Sequence, residues 1–152
     1  MSPGRISKRI VADRLDWIDR MVREIRSLPL ENYDEFRGDK RNIWSAESCL
    51  RRALEALMDL GRHVLAKGFG RGASEYKAIA SSLKEADVLS EDESVTLKTL
   101  AGYRNRMVHF YHEISEKELF EICLSQLSDI EIISQAIRRW INEHPTLIDD
   151  TL

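Results

Sequence analysis

The sequence predicts an all-α protein, an antiparallel bundle of about five helices. Apolar residues recur at three- and four-residue spacing along most of the 152 residues, as they do on the buried face of a helix. No segment shows the strict alternation or the turn residues that predict a strand or hairpin. Hydrophobic residues make up 43% and charged residues 32%. A chain of this size and composition can bury one core without disulfides or a structural metal.

The first two helices are the most clearly patterned. The first is predicted from about Ile6 to Leu28, since Pro29 cannot continue it. Its apolar face comprises Ile10, Leu15, Ile18, Val22 and Ile25. The second is predicted over residues 42–66 as the central element of the core, with a stripe of Leu50, Leu54, Leu57, Gly61, Val64 and Leu65. The glycines of residues 68–72 should end it as a turn, because the spacing of a phosphate-binding loop is absent.

Two capping boxes set the register of the later helices. In such a box a serine hydroxyl accepts a hydrogen bond from the third helical residue, whose glutamate reaches back to the serine N–H. Ser90 with Glu93, and Ser115 with Glu118, have this spacing. The remaining helices are accordingly expected over residues 74–86, 90–109 and 116–142, and the fourth is expected to extend through Val95, Leu97, Leu100 and Tyr103.

The domain organisation and location follow from what the composition lacks. We expect a single domain over residues 1–145 and a flexible tail over residues 146–152. No apolar stretch approaches the roughly 20 residues that cross a bilayer, and the amino terminus has no apolar signal region. A cytoplasmic protein without a membrane anchor is expected. Cys49 and Cys123 lie far apart and outside any metal-binding spacing, which predicts two reduced core thiols and no metal site.

Charge is distributed unevenly along the chain. The net charge is −3, but residues 37–112 carry +3 and residues 113–152 carry −6. A basic field in the middle of the chain could attract a polyanion locally, and an ordinary solvated surface of mixed charge would give the same counts. Charge alone leaves these two interpretations open.

The segment from Arg104 to Tyr111 carries the most varied chemistry. Arg104, Asn105, Arg106 and His109 stand near the predicted end of the fourth helix. On an ideal helix Asn105 and His109 share a face, whereas Arg104 and His109 are about 140° apart and about 7.5 Å along the axis. Arg104 and His109 therefore converge on one small group only if the helix ends there or a second chain contributes.

These side chains suit cleavage of RNA without a metal. Imidazole exchanges a proton near neutral pH, and guanidinium binds phosphate through a planar fork of donors. The substrate's own 2′-hydroxyl would be the nucleophile. The alternatives are ordinary: a histidine at a helix end, surface arginines, and aromatic residues in a core or interface.

The run Arg104-Asn105-x-x-x-His109-x-Tyr111 resembles the Arg-x4-His-x-Tyr signature of the HepT-type toxins, a branch of the HEPN superfamily. The resemblance covers most of the chain. It includes the long first helix, the Arg51-Arg52-Ala53-Leu54-Glu55 run, the glycine-containing break and the Leu100-Ala101-Gly102-Tyr103 lead into the motif.

The resemblance implies a homodimeric, metal-independent ribonuclease toxin that needs no cofactor and belongs to a type VII-like HEPN/MNT toxin–antitoxin module. Arg104 and His109 would be the catalytic pair of a composite dimer site, with Asn105 and Arg106 as supporting residues. Tyr111 would be the residue to which an MNT-type nucleotidyltransferase antitoxin adds AMP. The alternative is a non-catalytic helical binding partner of a minimal nucleotidyltransferase.

Overall fold

A computed structural model describes residues 5–109 and 113–151 of the chain. It contains, over these residues, seven α-helices, two strands of two residues each and a short 3-10 helix at Pro145–Leu147. In chain order the elements are β1 (Ile6–Ser7), α1 (Lys8–Arg26), α2 (Tyr33–Arg37), α3 (Lys40–Phe69), α4 (Tyr76–Glu85), α5 (Glu91–His109), α6 (Glu116–Ser125), α7 (Leu127–Glu143) and β2 (Ile148–Asp149).

The helical architecture agrees with the sequence, but the helix count differs from five. One extra helix, α2, lies in the connector after α1, where the Asn32 side chain accepts a hydrogen bond from the Glu35 N–H and Phe36 is buried. The other arises because the predicted last helix is interrupted at Gln126 and becomes α6 and α7. The apolar stripe continues on both sides of Gln126, so periodicity did not reveal the interruption.

Helix α3 is the centre of the core, as predicted. All six residues of its predicted stripe are buried. Helix α4 approaches α3 closely at Gly61, where a Cβ atom would stand 2.9 Å from the Ile79 side chain. The end of α3 is also as expected, since Gly70 adopts a left-handed conformation with φ 66°. The predicted face of the first helix is wrong at Ile10, which is 37% exposed.

The two predicted capping boxes form to different extents. At the start of α5, the Glu93 N–H donates to the Ser90 hydroxyl at 3.2 Å, and the Ser90 N–H donates to the Glu93 carboxylate at 2.9 Å. At the start of α6, the Glu118 N–H donates to the Ser115 hydroxyl at 3.1 Å, but the Glu118 carboxylate binds Arg106 instead. The first box is complete, and the second supplies only the serine cap.

The carboxyl-terminal residues contain a short strand that the sequence did not predict. Strand β2 pairs in parallel with β1, with Ile6 opposite Ile148 and Ser7 opposite Asp149. Lys8 and Asp150 add an ion pair at 3.6 Å. A pairing of two residues is too short to produce a periodic sequence pattern, so strand signals could not reveal it.

Cys49 and Cys123 are both free thiols, and only Cys123 is fully buried. Burial raises the pKa of the Cys123 thiol to about 12.

Among the described residues, no helix combines the length and apolar character needed to cross a bilayer.

Candidate active site

The predicted motif opens into a cavity at the carboxyl-terminal end of α5. Arg104, Asn105 and His109 line this cavity, which has a volume of about 560 Å³. The opposite walls come from Arg62 on α3 and from residues 74–77 at the start of α4. The structure thus brings together three of the site residues that the sequence singled out.

The helix itself explains how the motif reaches the cavity. Helix α5 continues to His109, and Leu100, Ala101 and Met107 are buried on its other side. Those buried residues fix the rotation of the helix. Arg104 and His109 both line the cavity although they stand five residues apart on the helix.

Arg104 is held in place by weak contacts. Its side chain is 19% exposed, and its Cζ atom lies 4.4 Å from the centre of the Tyr76 ring. Its Nε atom is 3.6 Å from a Glu55 carboxylate oxygen, and its Nη1 donates to the Asn105 side-chain oxygen at 3.4 Å. Nε is buried and makes no hydrogen bond within the described part of the chain. A guanidinium has five N–H donors, so most of this capacity remains for an oxygen ligand.

The α3 side of the cavity carries a second guanidinium beside the same ring. The Arg62 Cζ atom lies 5.4 Å from the centre of the Tyr76 ring. Its Nε donates to the Ala73 carbonyl oxygen at 3.2 Å, and its Nη1 lies 3.4 Å from an Asp59 oxygen. Arg62 therefore ties α3 to the segment that leads into α4.

Sequence reasoning did not assign Tyr76, Arg62 or Glu55 to the site. Glu55 had a signal, because it ends the Arg51 to Glu55 run that contributed to the resemblance. Tyr76 and Arg62 had none, since they lie far from the motif in sequence and meet it only through the packing of α3, α4 and α5.

The other predicted residues have different placements. His109, the last residue of α5, is exposed and lines the cavity. Tyr111 lies outside the described residues, so its predicted modification stays a prediction. Arg106 is absent from the residues that line the cavity and forms two hydrogen bonds with Glu118 on α6, at 2.5 and 2.9 Å. The hydrogen bonds from Arg106 hold the pKa of the Glu118 carboxyl below its usual value.

The electrostatic character of the cavity favours an anion. Among the described residues that line it, Arg62, Lys77 and Arg104 carry permanent positive charges and Glu75 carries a carboxylate. A concave surface with an excess of positive charge concentrates anionic ligands. Over residues 5–109 and 113–151, no group of three or more histidine, cysteine, aspartate or glutamate side chains is placed to hold a metal ion.

The fold is similar to that of several solved structures, one of which is a toxin in complex with its antitoxin. One similar structure is a tri-AMPylated Shewanella oneidensis HEPN toxin in complex with MNT antitoxin, with a TM-score of 0.77 and 22% identity over 86% of this chain and 97% of that one. Another is a cytosolic protein of unknown function from Bacillus subtilis, YutE, with a TM-score of 0.77 and 17% identity over 92% of this chain and 94% of that one. The chain therefore has the helical fold of the HEPN class.

The sequence comparison identifies the family within that class. A tRNA nuclease HepT from Aphanizomenon flos-aquae (strain 2012/KM1/D3) is 23% identical over 112 residues, which are 73% of this chain and 76% of the relative. The model of the HepT-like family, which is described as Ribonuclease HepT-like, matches residues 18–137 of this chain. The chain belongs to the HepT-like ribonuclease family, which confirms the resemblance drawn from the motif.

Proposed function

We propose that this protein is the ribonuclease toxin of a HEPN/MNT toxin–antitoxin module in the cytoplasm and that it cleaves RNA without a metal ion. The observation that carries the proposal is the cavity that Arg104 and His109 line together, in which positive charge predominates. Family membership supports a nuclease, and the similarity to a HEPN toxin in complex with MNT antitoxin supports the module.

The residues supply the steps that such a cleavage needs. Arg104 binds the non-bridging oxygens of the phosphate and stabilises the charge that develops on them. The RNA 2′-hydroxyl attacks phosphorus while one imidazole accepts its proton, and the bond from phosphorus to the 5′ oxygen breaks. A second imidazole donates a proton to that leaving oxygen. The products are a 2′,3′-cyclic phosphate and a 5′-hydroxyl.

The need for both a base and an acid favours a site built from two chains. Each motif places one histidine, His109, on the described part of the cavity. A two-fold homodimer with facing motifs would bring the second imidazole and a second Arg104 to the same phosphate. Asn105 would support the arginine through its hydrogen bond, and Arg106 would support the motif by holding α5 against α6.

The partner would silence this site by covalent modification. A cognate MNT-type nucleotidyltransferase antitoxin would transfer AMP to Tyr111, two residues beyond His109. Each added phosphate brings negative charge beside the catalytic residues, which repels the RNA backbone. The similarity to a tri-AMPylated HEPN toxin supports this part of the proposal.

The deciding experiment is RNA cleavage by the purified chain in excess chelator. Transfer RNA and a mixed RNA pool are incubated with the parent and with His109→Ala. We expect fragments ending in 2′,3′-cyclic phosphate from the parent and a loss of roughly 100- to 10,000-fold in rate from His109→Ala.

The matched control is His144→Ala. His144 stacks on Trp140 at the end of α7 and is not among the residues that line the cavity. It should cleave like the parent. Equal cleavage by parent and His109→Ala would contradict the mechanism. Absence of cleavage by the parent, with tight binding to the nucleotidyltransferase, would favour the alternative of a non-catalytic binding partner.

A further inference from the structure

Arg104 faces two competing partners, one that lines the cavity and one beside it. On one side is the face of the Tyr76 ring, with its centre 4.4 Å from Cζ. On the other is the Glu55 carboxylate, 3.6 Å from Nε and 3.5 Å from the Nη1 atom of Arg51. If the guanidinium paired fully with Glu55, its in-plane N–H groups would donate to that carboxylate and would not be available to another ligand.

An aromatic ring holds a guanidinium in a different way. The attraction acts through the flat face of the cation, so the N–H groups at its edge stay available for another ligand. A ring can thus restrict the long arginine side chain without using the donors that a phosphate needs. A carboxylate that restricts the side chain does so by accepting hydrogen bonds from those same donors.

Tyr76 is firmly placed for this task. It is the first residue of α4, whose Ile79, Ala80 and Leu83 are buried. The segment before α4 is fixed by the Arg62 hydrogen bond to the Ala73 carbonyl oxygen. The position of the ring is therefore fixed by α4, to which Tyr76 belongs, and by the preceding segment, which Arg62 binds at Ala73.

We propose that Tyr76 is a positioning residue for Arg104: its ring face holds the guanidinium away from full pairing with Glu55 and directs the free donors toward an RNA phosphate in the cavity. This inference rests on the proposed function. No hydrogen bond from the Tyr76 hydroxyl is present among the described residues, so the ring carries the role. Tyr76→Phe should keep that role, and Tyr76→Leu should lose it.

Cleavage kinetics provide the first arm of the test. We expect Tyr76→Phe to match the parent and Tyr76→Leu to lose on the order of 10-fold in kcat, with a smaller change in KM, because the contact matters most when charge develops on the phosphate. Equal rates for Tyr76→Leu and the parent would overturn the proposal. A defect in Tyr76→Phe as large as that in Tyr76→Leu would overturn it too, since the hydroxyl would then be responsible.

The matched control removes a similar contact elsewhere. The Tyr33 ring lies 4.4 Å from the Lys117 ammonium, outside the residues that line the cavity. Tyr33→Leu should reduce stability without changing kcat. Thermal unfolding of every variant shows which temperatures keep it folded, and rates are compared only there.

The second arm does not depend on activity. The NMR resonance of the Arg104 Nε–H group, assigned by its loss in Arg104→Lys, should carry the ring-current shift of Tyr76. The shift should persist in Tyr76→Phe and vanish in Tyr76→Leu, with faster rotation of the guanidinium. An unchanged resonance in Tyr76→Leu would overturn the placement. If the parent cleaves no RNA, the proposed function fails, and this arm still decides whether the ring holds Arg104.

Discussion

Arg104 and Arg106 stand two residues apart on α5, yet their guanidinium groups have different partners. Arg104 is largely buried against the Tyr76 ring and has only long contacts with Glu55 and Asn105. Arg106 forms two short hydrogen bonds with Glu118 on the neighbouring helix. The first guanidinium keeps donors for a ligand, whereas a carboxylate occupies the second. The difference shows that the partner, rather than the residue type, decides which arginine keeps donors available for a ligand.

Helix geometry explains why the two side chains diverge. Residues two positions apart on a helix point roughly 200° away from each other. Once buried Leu100 and Met107 fix the rotation of α5, Arg104 faces α3 and α4 while Arg106 faces α6. The sequence motif contains both arginines, but the neighbouring helices determine which side chains each of them contacts.

Replacing each arginine by lysine tests this comparison most directly. Lysine keeps the charge and loses the planar fork. Arg104→Lys should reduce RNA cleavage roughly 100-fold, as removal of a donor to a developing anion does. Arg106→Lys should leave cleavage close to that of the parent. Initial rates on one RNA substrate measure both, and equal losses in the two variants would contradict the division of tasks.

The two capping boxes offer a second test, with smaller effects. Ser90→Ala and Ser115→Ala should each lower the free energy of unfolding by about 1 kcal/mol, because each removes a helix cap. The return bond from Glu93 exists only in the first box. A double-mutant cycle of Ser90 with Glu93 should therefore show a coupling of about 0.5 kcal/mol or more, and one of Ser115 with Glu118 should show almost none. Chemical denaturation gives these values, and equal couplings would mean that Glu118 also closes its box in solution.

The smallest expected effect concerns the pH dependence of the Arg106 to Glu118 pair. The hydrogen bonds from Arg106 lower the pKa of Glu118 in the folded state. A carboxyl with a lowered folded pKa adds stability above its unfolded pKa, about 4.3, and loses it as the pH falls through the folded value. Glu118→Gln should be slightly less stable than the parent at pH 7, and the difference should disappear in acid.

Thermal unfolding from pH 7 to pH 2.5 measures this difference. Glu116→Gln is a suitable control, because no ion pair of that exposed residue is present in the described part of the chain. A difference between Glu118→Gln and the parent that stays constant across this range would show that the pair does not contribute through its charge.

Much of the fold could be predicted because its signals are local. The stripe of α3 is buried in full, and the serine caps begin α5 and α6 at the expected residues. The errors occur where tertiary packing overrides a local pattern. Ile10 is exposed although it was predicted on the buried face of the first helix, and the last predicted helix breaks at Gln126. The pairing of β1 with β2 joins opposite ends of the chain, which no local pattern records.

The sequence by itself determined the helical class and the residues proposed for the chemistry, because periodicity, caps and the arginine–histidine spacing are encoded within a few positions. The tertiary structure decided what surrounds them. Tyr76 and Glu55 meet Arg104 only when α3, α4 and α5 pack together, and Glu118 leaves its own cap to bind Arg106 for the same reason. Such contacts depend on the relative positions of whole helices, which the packing of the buried core fixes.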